Sequence, residues 1–88
     1  MKIKDNLNLE KLFYDAEKYH KTNDILTAEN LYKKIIEIDP QHIGSLNNLG
    51  IILFNKRKFK EAKNLFNKII QINPAYSSSY NNLGLICK

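Results

Sequence analysis

The residues best suited to chemistry in this chain are asparagines. Asn47-Asn48 and Asn81-Asn82 each precede Leu-Gly, in the strings SLNNLG (45–50) and SYNNLG (79–84), 34 residues apart. An asparagine amide offers N–H donors and a carbonyl acceptor. It can therefore hold a peptide backbone without reading side chains. Covalent chemistry finds no comparable support. His20 and His42 lie far apart with no Cys or second His beside them, so no metal site is expected. Cys87 lacks a nucleophile motif and reads as a packing residue. There is no Gly-rich phosphate loop and no Ser–His–Asp grouping. The expectation is binding rather than catalysis, with no catalytic residue, cofactor or metal.

Composition narrows the class of partner. At 88 residues the chain fits one small domain with a thin core. Its formal charge is +5, but Arg57 is its only arginine, and arginine is the residue suited to bidentate phosphate and base contacts. The lysines run from Lys2 to Lys88, with one cluster at Lys56-Arg57-Lys58-Phe59-Lys60 that reads as a solvated turn. Nucleic acid is therefore not the expected partner. Nor is a membrane, because no stretch approaches the roughly 20 apolar residues of a span. A single cysteine and the absence of an apolar leader in MKIKDNLNLEKLF point to the cytoplasm.

The period of 34 organises the chain. Pro40 recurs as Pro74, Ala28 as Ala62, Asn30-Leu31 as Asn64-Leu65 and Lys34-Ile35-Ile36 as Lys68-Ile69-Ile70, while Tyr32 becomes Phe66. Apolar residues at 59, 62, 65, 66, 69, 70 and 72 follow helical spacing, as do those at 46, 49 and 53. Helices are expected near 9–21 and 25–38 and over 46–54 and 59–72, with a fifth from about residue 77 to the end. Thr22-Asn23-Asp24 and Asn55–Lys58 form the turns, Asn23 or Asp24 and Ser77 are candidate caps, and Asp39-Pro40 and Asn73-Pro74 end the second helices. Ala16, Gly50 and Gly84 fall mid-way in each first helix. Glycine there costs about 1 kcal/mol relative to alanine, which implies a close approach between two helix backbones. Leu12, Tyr19, Tyr32, Leu46, Leu53, Phe66 and Tyr80 are expected to fill the space around these contacts.

This pattern resembles the tetratricopeptide repeat, whose unit is a 34-residue helix–turn–helix. Leu46, Leu49, Gly50, Ala62, Phe66 and Pro74 match one unit. Leu12, Ala16, Tyr19, Ala28, Tyr32 and Pro40 match another, and Tyr80, Leu83 and Gly84 begin a third. The departures are Asp15 where the family prefers Leu, Ile35 and Ile69 where a small residue is usual, and Leu53 and Cys87 in place of Tyr. The resemblance implies an all-α fold, an α-solenoid of stacked antiparallel helix pairs with five helices. Residues 1–8 are the lead-in, 9–42 and 43–76 two repeats, and 77–88 the first helix of a third, truncated one.

The resemblance also implies a function. First helices of such repeats line an extended concave surface. The expected peptide-binding residues are Asn48, Asn82, Tyr14, Asn47, Asn81, Ile51, Phe13 and Asn55. Glu17, Phe54, Ser78 and Leu85 lie nearby, and packing between helices is the competing role for Phe13, Ile51, Phe54 and Leu85. Superhelical repeats beside O-linked glycosyltransferases carry an asparagine ladder at the places of Asn48 and Asn82, with Tyr14 at the first place here. The carboxylate clamp of chaperone-binding repeats is absent. The expectation is a scaffold for a protein or peptide partner, within a longer array, with self-association through the last helix as a further outcome. The alternative is the recognition arm of an enzyme such as a glycosyltransferase continuing past Lys88.

Overall fold

The computed structural model describes residues 2–76, with side chains from residue 9 onward. Four α-helices appear among them: α1 (Lys2–Lys21), α2 (Ile25–Ile38), α3 (Ile43–Asn55) and α4 (Phe59–Ile72). The expected count of five is thus not met. The segment assigned to the fifth helix, with its Ser77 cap, lies outside the described residues. The chain divides into two compact units, Met1–Pro40 and Gln41–Lys88. Helices α1 and α2 pack together in the first, α3 and α4 in the second.

The second helices keep the bounds that their periodicity predicts. Each apolar stripe ends in Asp-Pro or Asn-Pro, and proline disfavours helix at the residue before it. The first helices are longer than expected. α1 starts at Lys2 rather than near Leu9, since KIKDNLN contains no glycine or proline to stop it. α3 gains Ile43, Gly44 and Ser45 because His42 caps it, its Nδ1 accepting from the Ser45 backbone N–H at 3.1 Å.

Both turns use one geometry, repeated in phase. In the first unit, Asp24 N–H donates to Tyr19 O at 2.9 Å and Asn23 N–H to His20 O at 3.2 Å. In the second, Lys58 N–H donates to Leu53 O at 2.8 Å and Arg57 N–H to Phe54 O at 2.9 Å. These paired bonds make the Schellman closure, which puts the residue after the C-cap in the left-handed region. Accordingly φ is 67° at Asn23 and 64° at Arg57. The helices that follow start differently. Asp24 caps α2 by accepting from Thr27 N–H, whereas Lys58 makes no side-chain cap for α4.

The core of each unit is built on the expected small–large pairing. Ala16, Ala28, Tyr32 and Ile35 are buried in the first unit. Leu46, Leu49, Ile52, Leu53, Ala62, Phe66 and Ile69 are buried in the second. At Gly50 the space that a side chain would need is taken by the Phe66 ring. A methyl group at Gly50 would stand 2.6 Å from Phe66 Cε1 and 2.7 Å from Cζ. Tyr19 departs from its expected filling role, being 38% exposed, and Leu12 is only half-buried.

Two outcomes test this packing. Gly50→Ala destabilises the chain by about 1–3 kcal/mol, because overpacking outweighs the gain in helix propensity of about 1 kcal/mol. Adding Phe66→Leu recovers part of the loss, as read by thermal melts. In the turn, Lys58→Asp supplies the missing cap and Arg57→Asn relieves the left-handed residue. Each raises stability by roughly 1 kcal/mol.

Candidate functional site

Helix α3 turns Leu46, Leu49, Gly50 and Leu53 into the core of its unit. Packing against α4 leaves another side of α3, centred on Ile51. Asn47 stands four residues before Ile51, Asn48 three before and Asn55 four after, so all three border it on the helix surface. Asn47, Asn48 and Ile51 are half-buried and Asn55 is exposed. Asn47 and Asn48 already have partners within the structure. An amide has several donor and acceptor sites, so a partner does not exhaust it.

On α1, the counterpart side carries Tyr14, which is 68% exposed. Tyr14, Glu17, Lys18, Lys21 and Thr22 line a hollow of about 280 Å³. Tyr14, Glu17, Lys18 and Lys21, spaced by three or four residues, share one stripe of α1, and Thr22 follows in the turn. Tyr14 and Glu17 were legible as surface candidates from the repeat phase. Lys18, Lys21 and Thr22 were not, although the phase that selects 14 and 17 also selects 18 and 21.

Phe13 does not belong to this stripe. Its ring lies 6.1 Å from the buried Tyr32 ring at 58°, an aromatic contact between α1 and α2. Phe54 is likewise committed, 5.3 Å from Phe59 in an edge-on arrangement. Both follow the packing role weighed against a groove role. Asn81, Asn82, Ser78 and Leu85 lie outside the described residues.

His20 acquires a role that the sequence did not suggest. Its Nδ1 is 3.3 Å from the Tyr32 hydroxyl, and the two rings meet edge-on with centroids 6.0 Å apart. The signal was the period itself: 34 residues on, Tyr32 becomes Phe66 and His20 becomes Phe54. Glu29 is a second omission. It is buried, and its carboxylate pairs with Lys33 Nζ at 2.9 Å, one turn along α2. Among the described residues no group of His, Cys, Asp and Glu could hold a metal ion. No described helix is long and apolar enough to cross a membrane.

Two family models, both for the tetratricopeptide repeat, match the chain, over residues 31–64 and 18–42. Residues 18–64 thus carry tetratricopeptide-repeat sequence. One match runs from α2 through α3 into α4, and the other from the end of α1 through α2. No curated protein is matched by the chain. Tetratricopeptide repeats are in general protein-interaction modules and typically non-catalytic scaffolds. Ala28, Tyr32, Gly50 and Ala62, all within the matched stretches, are among the buried residues of the two units.

The split between repeat core and repeat surface is measurable. Tyr14→Ala changes stability by less than about 0.5 kcal/mol, as expected of an exposed side chain. His20→Phe and Tyr32→Phe are coupled. A double-mutant cycle in urea returns an interaction of about 0.5–1.5 kcal/mol, and the double variant reproduces the Phe54/Phe66 solution of the second repeat.

Proposed function

We propose that this protein is an interaction scaffold that holds an extended peptide or a helix of a partner protein along its first helices, on the concave face that stacked repeats form. The observation that carries this reading is the division of α3. Its Gly50 side is packed against Phe66, while Asn48, Ile51 and Asn55 remain on another side with amides flanking a half-buried aliphatic. That mixture suits a peptide. The amides can pair with backbone groups, and Ile51 can meet an apolar side chain. Asn82 repeats Asn48 at one period, so the two amides fall at equivalent places in successive repeats. Tyr14 takes that place in the first repeat and adds an exposed ring over its hollow.

The recurrence of Asn81-Asn82-Leu83-Gly84 supports a repeat array that extends past the second unit. The recognition arm of an enzyme such as a glycosyltransferase is the weaker reading. Among the described residues it rests on Asn48 alone.

Selection of binders from a random peptide library against the full chain, followed by calorimetry, tests the proposal. Asn48→Ala combined with Asn82→Ala weakens the selected peptide by about tenfold or more, as expected for losing two hydrogen bonds of roughly 1 kcal/mol each. Helix content by circular dichroism stays the same. Unchanged affinity in the double variant contradicts the asparagine row, and failure to select any peptide contradicts the scaffold.

A further inference from the structure

The two Schellman turns share a backbone and differ in chemistry. In the first unit the turn and the start of α2 read Thr22-Asn23-Asp24-Ile25-Leu26. In the second they read Lys56-Arg57-Lys58-Phe59-Lys60. Asparagine is one of the few non-glycine residues that tolerate the left-handed position, and aspartate is among the best helix caps. The first turn therefore shows what the geometry prefers. The second turn uses Arg57 at φ 64° and Lys58 at a cap that makes no side-chain bond. It also sets cations at the start of α4, where the helix dipole disfavours them. Three local preferences are broken together. Such conflicts are expected where a surface serves a partner.

The result is a concentrated field. Residues 56–63 hold five cations (Lys56, Arg57, Lys58, Lys60 and Lys63) against one carboxylate, Glu61. They account for four of the chain's five net positive charges. All six side chains are exposed. Beside them Phe59 rests on Phe54 and leaves 43% of its surface open. A fixed, half-open aromatic ring amid one sign of charge offers an apolar ledge and a field for an oppositely charged group.

We infer that the α3–α4 turn is a docking surface for an acidic segment of a partner protein, one carrying Asp or Glu around an apolar residue. Charge complementarity selects the occupant: the cations are mostly lysines, which attract carboxylates as point charges and lack the fork that reads phosphates or bases. An anionic bilayer is disfavoured by size. Electrostatic adsorption gives about 1 kcal/mol per basic residue, and stable anchoring takes a second signal. The surface is distinct from the Asn48–Ile51 face and does not depend on it.

The experiment uses the full chain and fluorescence anisotropy of a labelled Glu/Asp-rich peptide containing one leucine. The test variant Arg57→Asn/Lys58→Asp gives the second turn the residues of the first and lowers the net charge by three. The control variant Lys11→Gln/Lys34→Glu lowers it equally at exposed sites elsewhere. The wild-type chain binds the peptide, and binding weakens as salt shortens the Debye length. In the test variant affinity falls by about tenfold or more while the chain melts higher, so unfolding does not explain the loss. The control stays within about twofold of wild type. Absence of wild-type binding, or an equal loss in both variants, overturns the inference. So does tighter, turn-dependent binding to phosphatidylserine vesicles or to an oligonucleotide than to the peptide.

Discussion

A phenylalanine ring leaves no room for a methyl group at Gly50, and much of the second unit follows from that fit. Glycine in a helix interior is unfavourable by about 1 kcal/mol relative to alanine. It is supported here because Phe66 is fully buried against it. The contact fixes which side of α3 faces α4. With Gly50 turned inward, Leu46, Leu49 and Leu53 come inward with it, and Asn48, Ile51 and Asn55 are left on another side. The composition of the candidate surface is thus a consequence of where the core had to go.

The first unit solves the same problem with slightly more bulk. Alanine replaces glycine and tyrosine replaces phenylalanine, both still fully buried. A buried hydroxyl requires a partner, and His20 stands beside it where the second unit has Phe54. The pairs His20–Tyr32 and Phe54–Phe66 are two chemistries on one backbone plan. The two turns form a similar pair, Asn23-Asp24 against Arg57-Lys58. In the core the change either gives the Tyr32 hydroxyl a partner or removes both polar groups. In the turn it leaves Lys58 without a side-chain cap bond, and that contrast separates variation that serves packing from variation that faces outward.

Much of this fold was legible because the period of 34 sets strong signals in phase. The helical stripes of α2 and α4 end at prolines, and their bounds follow residue for residue. The ends of the first helices were harder to read. The start of α1 carries no stop signal, and the cap of α3 is a histidine, which lies outside the usual capping set. The Schellman turns were obscured because neither has glycine at its left-handed residue. In the candidate site, Tyr14, Asn48 and Asn55 could be placed by counting. The commitment of Phe13 to Tyr32 and of Phe54 to Phe59 could not, since helical spacing does not say whether a ring at the edge of a stripe points inward or out.

In the proposed function, an extended peptide is read by the first-helix sides that core packing leaves over. Backbone amide mapping by nuclear magnetic resonance tests it most directly, using the full chain titrated with a peptide that it binds. Shift changes gathered on Tyr14, Glu17, Asn48, Ile51 and Asn55 are the predicted result. Changes gathered instead on exposed residues of the second helices, such as Asn30, Lys34, Asn64 and Asn67, would contradict it.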